Sequence, residues 1–164
     1  MTTTVSRSYQ LIEQIQVRPG YLRATNVEQH AEQARHYIPT GRALDVLGRI
    51  SRTLHGPATG HAWSLTGPYG AGKSSFAVFL RTLLGPAGDA RTAAEARLRE
   101  ADTQAADALT TARSEVPRGF LLATTTCQSE PVTDSILRGL RRGISTYWTS
   151  RAPRDVRADL VTAE

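Results

Sequence analysis

The residues best suited to carry chemistry stand together in one short segment, which runs from Gly67 to Ser74 and reads GPYGAGKS. Its glycines have no Cβ atoms, so successive backbone amides can turn inward and converge on one small volume. Amides arranged in this way form a concave site for an anion. The lysine adds a compact positive charge, and the serine after it adds a hydroxyl that can bind a hard cation. These residue types in this order predict a phosphate site with a metal ion beside it.

The same segment matches the pattern G-x-x-x-x-G-K-[ST], the Walker A motif of nucleoside-triphosphate-binding proteins, at every fixed position. We expect Lys73, the predicted catalytic residue, to bridge oxygens of the β- and γ-phosphates, and Ser74 to ligate Mg²⁺. Ser75 is expected to donate to the α-phosphate. The alternative is a glycine-rich turn that holds no ligand. The predicted nucleotide-binding residues are Gly67, Pro68, Tyr69, Gly70, Ala71, Gly72, Lys73, Ser74 and Ser75.

Composition also singles out Lys73. Of the 20 basic residues in the chain, Lys73 alone is a lysine and all the others are arginines. A sequence so rich in alanine and arginine indicates a general bias toward arginine wherever either cation serves. An ammonium on a flexible stem reaches into a phosphate cradle that a broad planar guanidinium does not fit. The one retained lysine therefore supports a phosphate site at this loop.

The neighbouring segments predict a strand before the loop and a helix after it. Residues 62–66 are short, apolar and bounded by glycines, which indicates a buried strand, and residues 73–84 predict a helix that is apolar on nearly all sides. Residues 120–127 predict a second core strand, and helices are predicted over residues 41–54 and 132–148. These elements predict an α/β fold, the three-layer αβα core of P-loop NTPases. The core is expected to be incomplete, because such sheets generally need about five strands.

The chain before the first of these helices is less regular. Residues 9–17 are apolar at mixed spacing, which is compatible with either a helix or a strand. Thr25 and Glu28 have the spacing of a capping box, which predicts the start of a helix. Pro39 is expected to end that helix.

A long helix rich in alanine and charge is predicted over residues 89–115. Its small side chains form a narrow seam, which either leans on the domain itself or docks a partner helix as in a coiled coil. We therefore divide the chain into an N-terminal helical segment (residues 1–60), a partial NTPase core (61–150) that includes a helical insertion (86–116), and a polar tail (151–164).

Composition and charge exclude several classes of protein. One cysteine, Cys127, excludes an internal disulfide and a multi-cysteine zinc site. No apolar run approaches the roughly 20 residues that cross a bilayer, and the N-terminus lacks an apolar signal core, so we expect a cytoplasmic protein with no membrane association. The formal charge of +5 leaves DNA open as a partner.

A second set of residues precedes the loop, namely Tyr37, Ile38, Pro39, Thr40, Gly41 and Arg42, followed by Leu44, Leu47 and Ile50. With the loop, this set resembles the start of AAA+ ATPases of the origin-recognition type, and it is similar to related ATPase modules of large bacterial defence and signalling proteins. The resemblance covers residues 35–148, with a specific motif only at the loop. It implies ATP as the nucleotide, and it implies that Tyr37, Ile38 and Pro39 contact the base; a simple helix stop and restart is the alternative.

The chain departs from this family at the second acidic element, Walker B. Glu130 comes beyond the end of the predicted strand and is expected to be a loop or helix-start acid, and Asp155 and Asp159 lie in the polar tail. Sensor residues and an arginine finger find no counterpart, and Arg138, Arg141 and Arg142 are expected to form a solvated basic face. We therefore expect the N-terminal part of a larger ATPase, which alone binds ATP without efficient hydrolysis. Its partners would be the rest of that ATPase, DNA, or further copies of the chain.

Two other functions remain open. A small P-loop phosphotransferase has about this length, but such kinases usually open with the loop and need an acceptor acid and an arginine-bearing lid. A nucleic-acid-binding module would fit the positive charge, although the charge is spread over separate helices without aromatic interleaving. Phosphate transfer to a small acceptor would favour the first, and salt-dependent DNA binding would favour the second.

Overall fold

A computed structural model describes residues 25–28, 31–54, 61–126 and 128–148. Within these ranges the chain forms the 3-10 helix Ala31–His36 and five α-helices, α1 (Gly41–Thr53), α2 (Lys73–Leu84), α3 (Asp89–Ala101), α4 (Thr103–Ala112) and α5 (Val132–Tyr147). No β-strand occurs in them. Among these helices none combines the length and the apolar character that a bilayer crossing requires.

The predicted α/β class, a three-layer αβα core, is therefore wrong: the described part of the chain is all-helical and contains no sheet. The predicted strand at residues 62–66 is irregular and exposed along its whole length. The predicted strand at residues 120–126 is irregular too, and the N–H of Phe120 donates to the carbonyl of Leu84, at the end of α2, over 2.8 Å. A strand exists only where a second extended backbone exchanges hydrogen bonds with it. Here helix α2 takes that bond instead.

Three predicted helices are confirmed nearly to the residue. Helix α1 begins after Thr40, whose hydroxyl accepts from the N–H of Ala43 at 3.3 Å, as an N-cap should. Helix α2 has the predicted limits and ends where the N–H of Gly85 donates to the Arg81 carbonyl at 2.9 Å. Helix α5 ends one residue before the predicted limit.

The prediction of a single helix over residues 89–115 is wrong, because the helix is interrupted at Asp102. That residue has extended backbone angles (φ −160°, ψ 105°), and its carboxylate accepts from the N–H of Ala105 at 3.0 Å. Aspartate competes in this way with the helical hydrogen-bond pattern, so it caps a new helix rather than continuing the old one. The break lets α3 and α4 fold back on each other.

The core forms where the 3-10 helix meets α2 and α3, and where α1 packs against α4. Phe79 of α2 is completely buried, and the ring of Tyr37 lies 4.6 Å from it, centre to centre. The alanine seam packs on the domain itself, since Ala94 and Leu98 of α3 belong to the same core. The buried members of the core are Ala34, Leu47, Val78, Phe79, Leu83, Ala94, Leu98, Ala106 and Leu109.

The segment before the 3-10 helix does not form the predicted capping box. The hydroxyl of Thr25 donates to the side-chain oxygen of Gln33 at 3.2 Å, and the N–H of Glu28 donates to the side chain of Asn26 at 2.8 Å. The Glu28 carboxylate instead contacts the residue 120–126 segment, where it accepts from the N–H of Thr126 at 2.5 Å. It also contacts α5.

Helix α5 packs on the residue 120–126 segment through a face of small residues, where Ser135, Gly139 and Gly143 are buried. A Cβ atom added to Gly143 would come within 2.5 Å of the Leu122 carbonyl oxygen. Glycine at this position therefore permits the close approach of helix and backbone.

Candidate functional site

The Gly67–Ser74 loop is an exposed turn at the start of α2. Gly70 and Gly72 have φ of 80° and 79°, values in the left-handed region where side chains with a Cβ are strained. The N–H of Ala71 donates to the Pro68 carbonyl at 3.3 Å, which closes the first turn of the loop. Residues 61–72 are all exposed, so the loop is open to a solute.

Lys73 folds back across this loop. Its ammonium donates to the carbonyl of Gly67 at 2.8 Å and to the carbonyl of Pro68 at 2.7 Å. Its aliphatic stem passes Gly67, where an added Cβ would lie 3.9 Å from Cδ of the lysine. These two bonds use two of the three ammonium hydrogens and hold the positive charge at the loop. The only lysine of the chain is therefore placed at the loop by the loop's own backbone.

Helix α2 adds donors at the same place. Its first intrahelical bond runs from the N–H of Phe76 to the Gly72 carbonyl at 2.9 Å, so the amides of Lys73, Ser74 and Ser75 precede it. The N-cap residue, Gly72, has no side chain with which to satisfy those amides. Amides at a helix start carry partial positive charge and suit a phosphate group.

The two serines at the helix start differ in their surroundings. Ser74, the predicted magnesium ligand, is exposed. Ser75 is half-buried, and its hydroxyl oxygen lies 3.5 Å from that of Thr25. The structure thus leaves Ser74 open to a metal ion and turns Ser75 toward the segment before the 3-10 helix. No group of three or more His, Cys, Asp or Glu side chains in the described ranges could hold a metal ion, so Mg²⁺ here would depend on Ser74 and on phosphate oxygens.

The loop therefore fits a magnesium–triphosphate group by its chemistry. The backbone amides of the left-handed glycines, the amides at the helix start and the Lys73 ammonium can all donate hydrogen bonds to phosphate oxygens. The exposed Ser74 hydroxyl offers a neutral oxygen to the metal ion. Pro68 and Tyr69 lie in the same turn, and Tyr69 is fully exposed.

The three residues that the family resemblance assigns to the base are dispersed. The ring of Tyr37 packs against Phe79 and Phe76, with centroid distances of 4.6 Å and 6.4 Å, so it belongs to the core. Ile38 is 73% exposed, and Pro39 is half-buried. The 3-10 helix ends at His36 and α1 begins at Gly41, so these residues also form a helix stop and restart.

Glu130 stands at the start of α5, as expected, and its carboxylate is engaged. It accepts from the hydroxyl of Ser135 at 2.5 Å and from the guanidinium of Arg138. These two hydrogen bonds, the Ser135 bond first, lower the pKa of Glu130 below its ordinary value. A carboxylate held in this way is not available to orient a metal ion. Cys127, Asp155 and Asp159 lie outside the described residues.

Of the three arginines expected to form a solvated basic face on α5, Arg141 and Arg142 are exposed and Arg138 is half-buried, and Arg138 and Arg142 each pair with a carboxylate. Arg138 lies 3.6 Å from the carboxylate of Glu28, and Arg142 also pairs with that carboxylate. The Glu28 side chain is only 7% exposed, so it is a buried anion between two cations. Sequence reasoning missed this network, since Glu28 and α5 are about a hundred residues apart and no local pattern joins them.

Arg81 is a second residue that sequence reasoning passed over. It is the one charged side chain on α2 after Lys73, in a helix otherwise apolar or hydroxyl-bearing. Its guanidinium donates to the carbonyl of Val27 at 2.6 Å, and burial lowers its pKa. A lone cation in an apolar helix was the signal that could have drawn attention to it.

The chain was compared with protein-family models, with curated proteins and with solved structures, and no match was found in any of the three.

Proposed function

We propose that this chain binds a nucleoside triphosphate, ATP with Mg²⁺, through the loop from Gly67 to Ser75. The observation that carries the proposal is the position of the Lys73 ammonium, 2.8 Å and 2.7 Å from the Gly67 and Pro68 carbonyls at the start of α2. A positive charge held at the loop, next to the amides at the start of a helix, suits a polyphosphate. The match to the Walker A pattern supports the same function, with the helix after the loop present and the predicted strand before it absent.

Each residue of the loop has a role in this proposal. The amides around Gly70 and Gly72 bind the β-phosphate, Lys73 bridges β- and γ-oxygens, and Ser74 ligates the metal. Bound Mg²⁺ would neutralise charge on the β- and γ-phosphates. ATP is preferred over GTP through the resemblance to AAA+ ATPases and because the chain has no Asn/Thr-Lys-x-Asp guanine motif.

We further propose that this chain binds ATP without efficient hydrolysis. Hydrolysis needs an acid that orients the metal or the attacking water. Glu130, the acid that follows the segment at residues 120–127, is hydrogen-bonded to Ser135 and Arg138. The acid needed for hydrolysis would come from the rest of a larger ATPase or from a partner subunit, and the assembled ATPase would act on DNA or protein.

The test is binding of a fluorescent ATP analogue with Mg²⁺ to the wild-type chain, to Lys73→Ala and to Arg52→Gln. Arg52 is an exposed arginine on α1, so its loss controls for a general change of charge. Loss of charge-assisted hydrogen bonds should weaken binding to Lys73→Ala by about tenfold or more, since each is worth about 1.5–3 kcal/mol. Equal binding to all three proteins would contradict the proposal.

Phosphate release on the same samples tests the second part. No turnover is expected from wild-type chain. Turnover that disappears in Glu130→Gln would show that this carboxylate leaves Arg138 to serve the metal. Transfer of phosphate to a small acceptor would favour a phosphotransferase, and salt-dependent binding of DNA without nucleotide would favour a nucleic-acid-binding module.

A further inference from the structure

A cavity of about 440 Å³ lies at the opposite end of α2 from the Gly67 loop. Its walls come from the turn between α2 and α3, from Leu122 and Thr124 of the residue 120–126 segment, and from the last two turns of α5. None of the residues that form the nucleotide loop lines it. The volume lies in the range of small-molecule sites, about 300–1,000 Å³.

The charged side chains that line this cavity are mostly cationic. They are Arg81, Arg91, Arg141 and Arg142, with Glu28 as the one carboxylate. Counting these lining groups alone, four positive charges and one negative charge leave +3. Arg142 pairs with Glu28, and Nε of Arg91 lies 3.5 Å from Glu95.

Arg81 has no such partner. Its guanidinium donates to the neutral carbonyl of Val27 at 2.6 Å, and no carboxylate in the described part of the chain forms an ion pair with it. The residue is half-buried, and desolvation lowers its pKa, which means that the cation lacks part of its hydration without gaining an anion. A guanidinium has five N–H donors, and within the described ranges only one hydrogen bond of Arg81 is found, the one to Val27. The cost of holding an unpaired, partly buried cation would be offset by a bound anion.

The rest of the lining selects the kind of anion. Leu122, Pro86 and Tyr147 supply apolar and aromatic surface beside the arginines. A planar guanidinium binds phosphate oxygens in a bidentate manner. We propose that this cavity binds a small phosphate monoester that carries an apolar or aromatic group, with Arg81 as the main phosphate ligand.

The test uses phenyl phosphate as the probe and the Lys73→Ala protein as the background, so that the nucleotide loop cannot supply the binding. Isothermal titration should show saturable binding with a dissociation constant of about 0.1–1 mM, typical of a small fragment. Phenol, which lacks the phosphate, should bind at least about tenfold more weakly, because the charge-assisted bonds are lost. Absence of saturable binding of phenyl phosphate to the folded Lys73→Ala protein would overturn the proposal, whatever happens at the loop.

Variants then assign the site. Arg81→Gln should weaken binding of phenyl phosphate by about tenfold or more, whereas Arg52→Gln, at an exposed position of α1 outside the cavity, should leave it unchanged. Because Arg81 also ties Val27 to α2, thermal unfolding and circular dichroism of each variant are recorded. If Arg81→Gln lowers the melting temperature, Arg141→Gln is used instead, because Arg141 is an exposed residue that lines the other wall of the cavity. This variant should also weaken binding of phenyl phosphate by about tenfold or more. Equal affinity in wild type and in both lining variants would overturn the proposal.

Discussion

At the scale of single residues, the ionic groups of this chain differ in how firmly the protein holds them. The Lys73 ammonium is fixed by two backbone carbonyls, whereas the Glu130 carboxylate is fixed by a hydroxyl and a guanidinium from helix α5, which follows it. Backbone carbonyls are neutral and leave the lysine charge for a ligand. An arginine neutralises the glutamate, so that Glu130 contributes to the structure rather than to the site.

The lowered pKa of Glu130 predicts a pH dependence of stability. Because its pKa is lower in the folded chain than in the unfolded chain, the ionised group stabilises the fold above the ordinary glutamate range, near pH 4.3, and this contribution is lost as pH falls through the lower folded value. Glu130→Gln should therefore unfold at a lower temperature than wild type at pH 7, and the difference should shrink as pH falls below the ordinary glutamate range. Glu32→Gln, an exposed glutamate on the 3-10 helix, controls for loss of charge. A difference that persists unchanged to pH 3 would contradict the assignment.

At the scale of elements, helix packing depends on where glycine stands. Gly143 lies on the face of α5 that meets the residue 120–126 segment, and Gly48 lies in α1 with only the Arg52 side chain, 3.8 Å away, near the position of an added Cβ. The same residue type thus has opposite consequences in the two helices. One glycine permits a close approach, and the other only costs backbone entropy.

Alanine at these two positions should separate the effects. Gly143→Ala should destabilise the chain by about 1–3 kcal/mol, because its methyl group would overlap the Leu122 carbonyl and force α5 away. Gly48→Ala should stabilise it by about 0.5–1 kcal/mol, the usual gain in a helix interior. Urea unfolding monitored by circular dichroism measures both. If Gly143→Ala is as stable as Gly48→Ala, α5 does not pack on this segment as the structure shows.

At the scale of the whole molecule, Glu28 joins parts of the chain that lie far apart in sequence. It accepts from the Thr126 backbone and pairs with Arg138 and Arg142, so one buried carboxylate connects the N-terminal part of the described chain to α5. Arg113 makes a second such connection. Its guanidinium donates to the Leu83 carbonyl at the end of α2 and lies 2.5 Å from Glu95 of α3.

Removing the Glu28 charge should destabilise the whole fold. Glu28→Gln removes the carboxylate that pairs with Arg142 and leaves Arg138 with Glu130 alone. It should cost about 2–3 kcal/mol, less than for a fully buried pair because Arg142 is half-exposed. Glu100→Gln breaks an exposed pair with Arg97, 2.7 Å long, and should cost at most about 0.5 kcal/mol. Urea midpoints of the two variants measure the difference. Equal midpoints would show that the Glu28 network does not hold α5 to the rest of the molecule.

Three of the helices and the loop could be predicted from local sequence alone. Helices α1, α2 and α5 follow from local signals: the Thr40 cap, the start at Lys73 after glycine, and apolar residues at helical spacing. Helical hydrogen bonds join residues four apart, so a short stretch of sequence carries the information for them. The loop pattern from Gly67 to Ser74 is also local, and the structure places its lysine over its own backbone.

The other features depend on contacts between distant parts of the chain. The apolar runs at residues 62–66 and 120–126 predict strands, yet a strand requires a backbone partner that no local pattern reveals, and in the described chain neither run has one. The pairing of Glu28 with α5 likewise joins residues about a hundred positions apart. Such contacts are non-local, because they arise from which surfaces meet when the chain folds and not from the order of neighbouring residues.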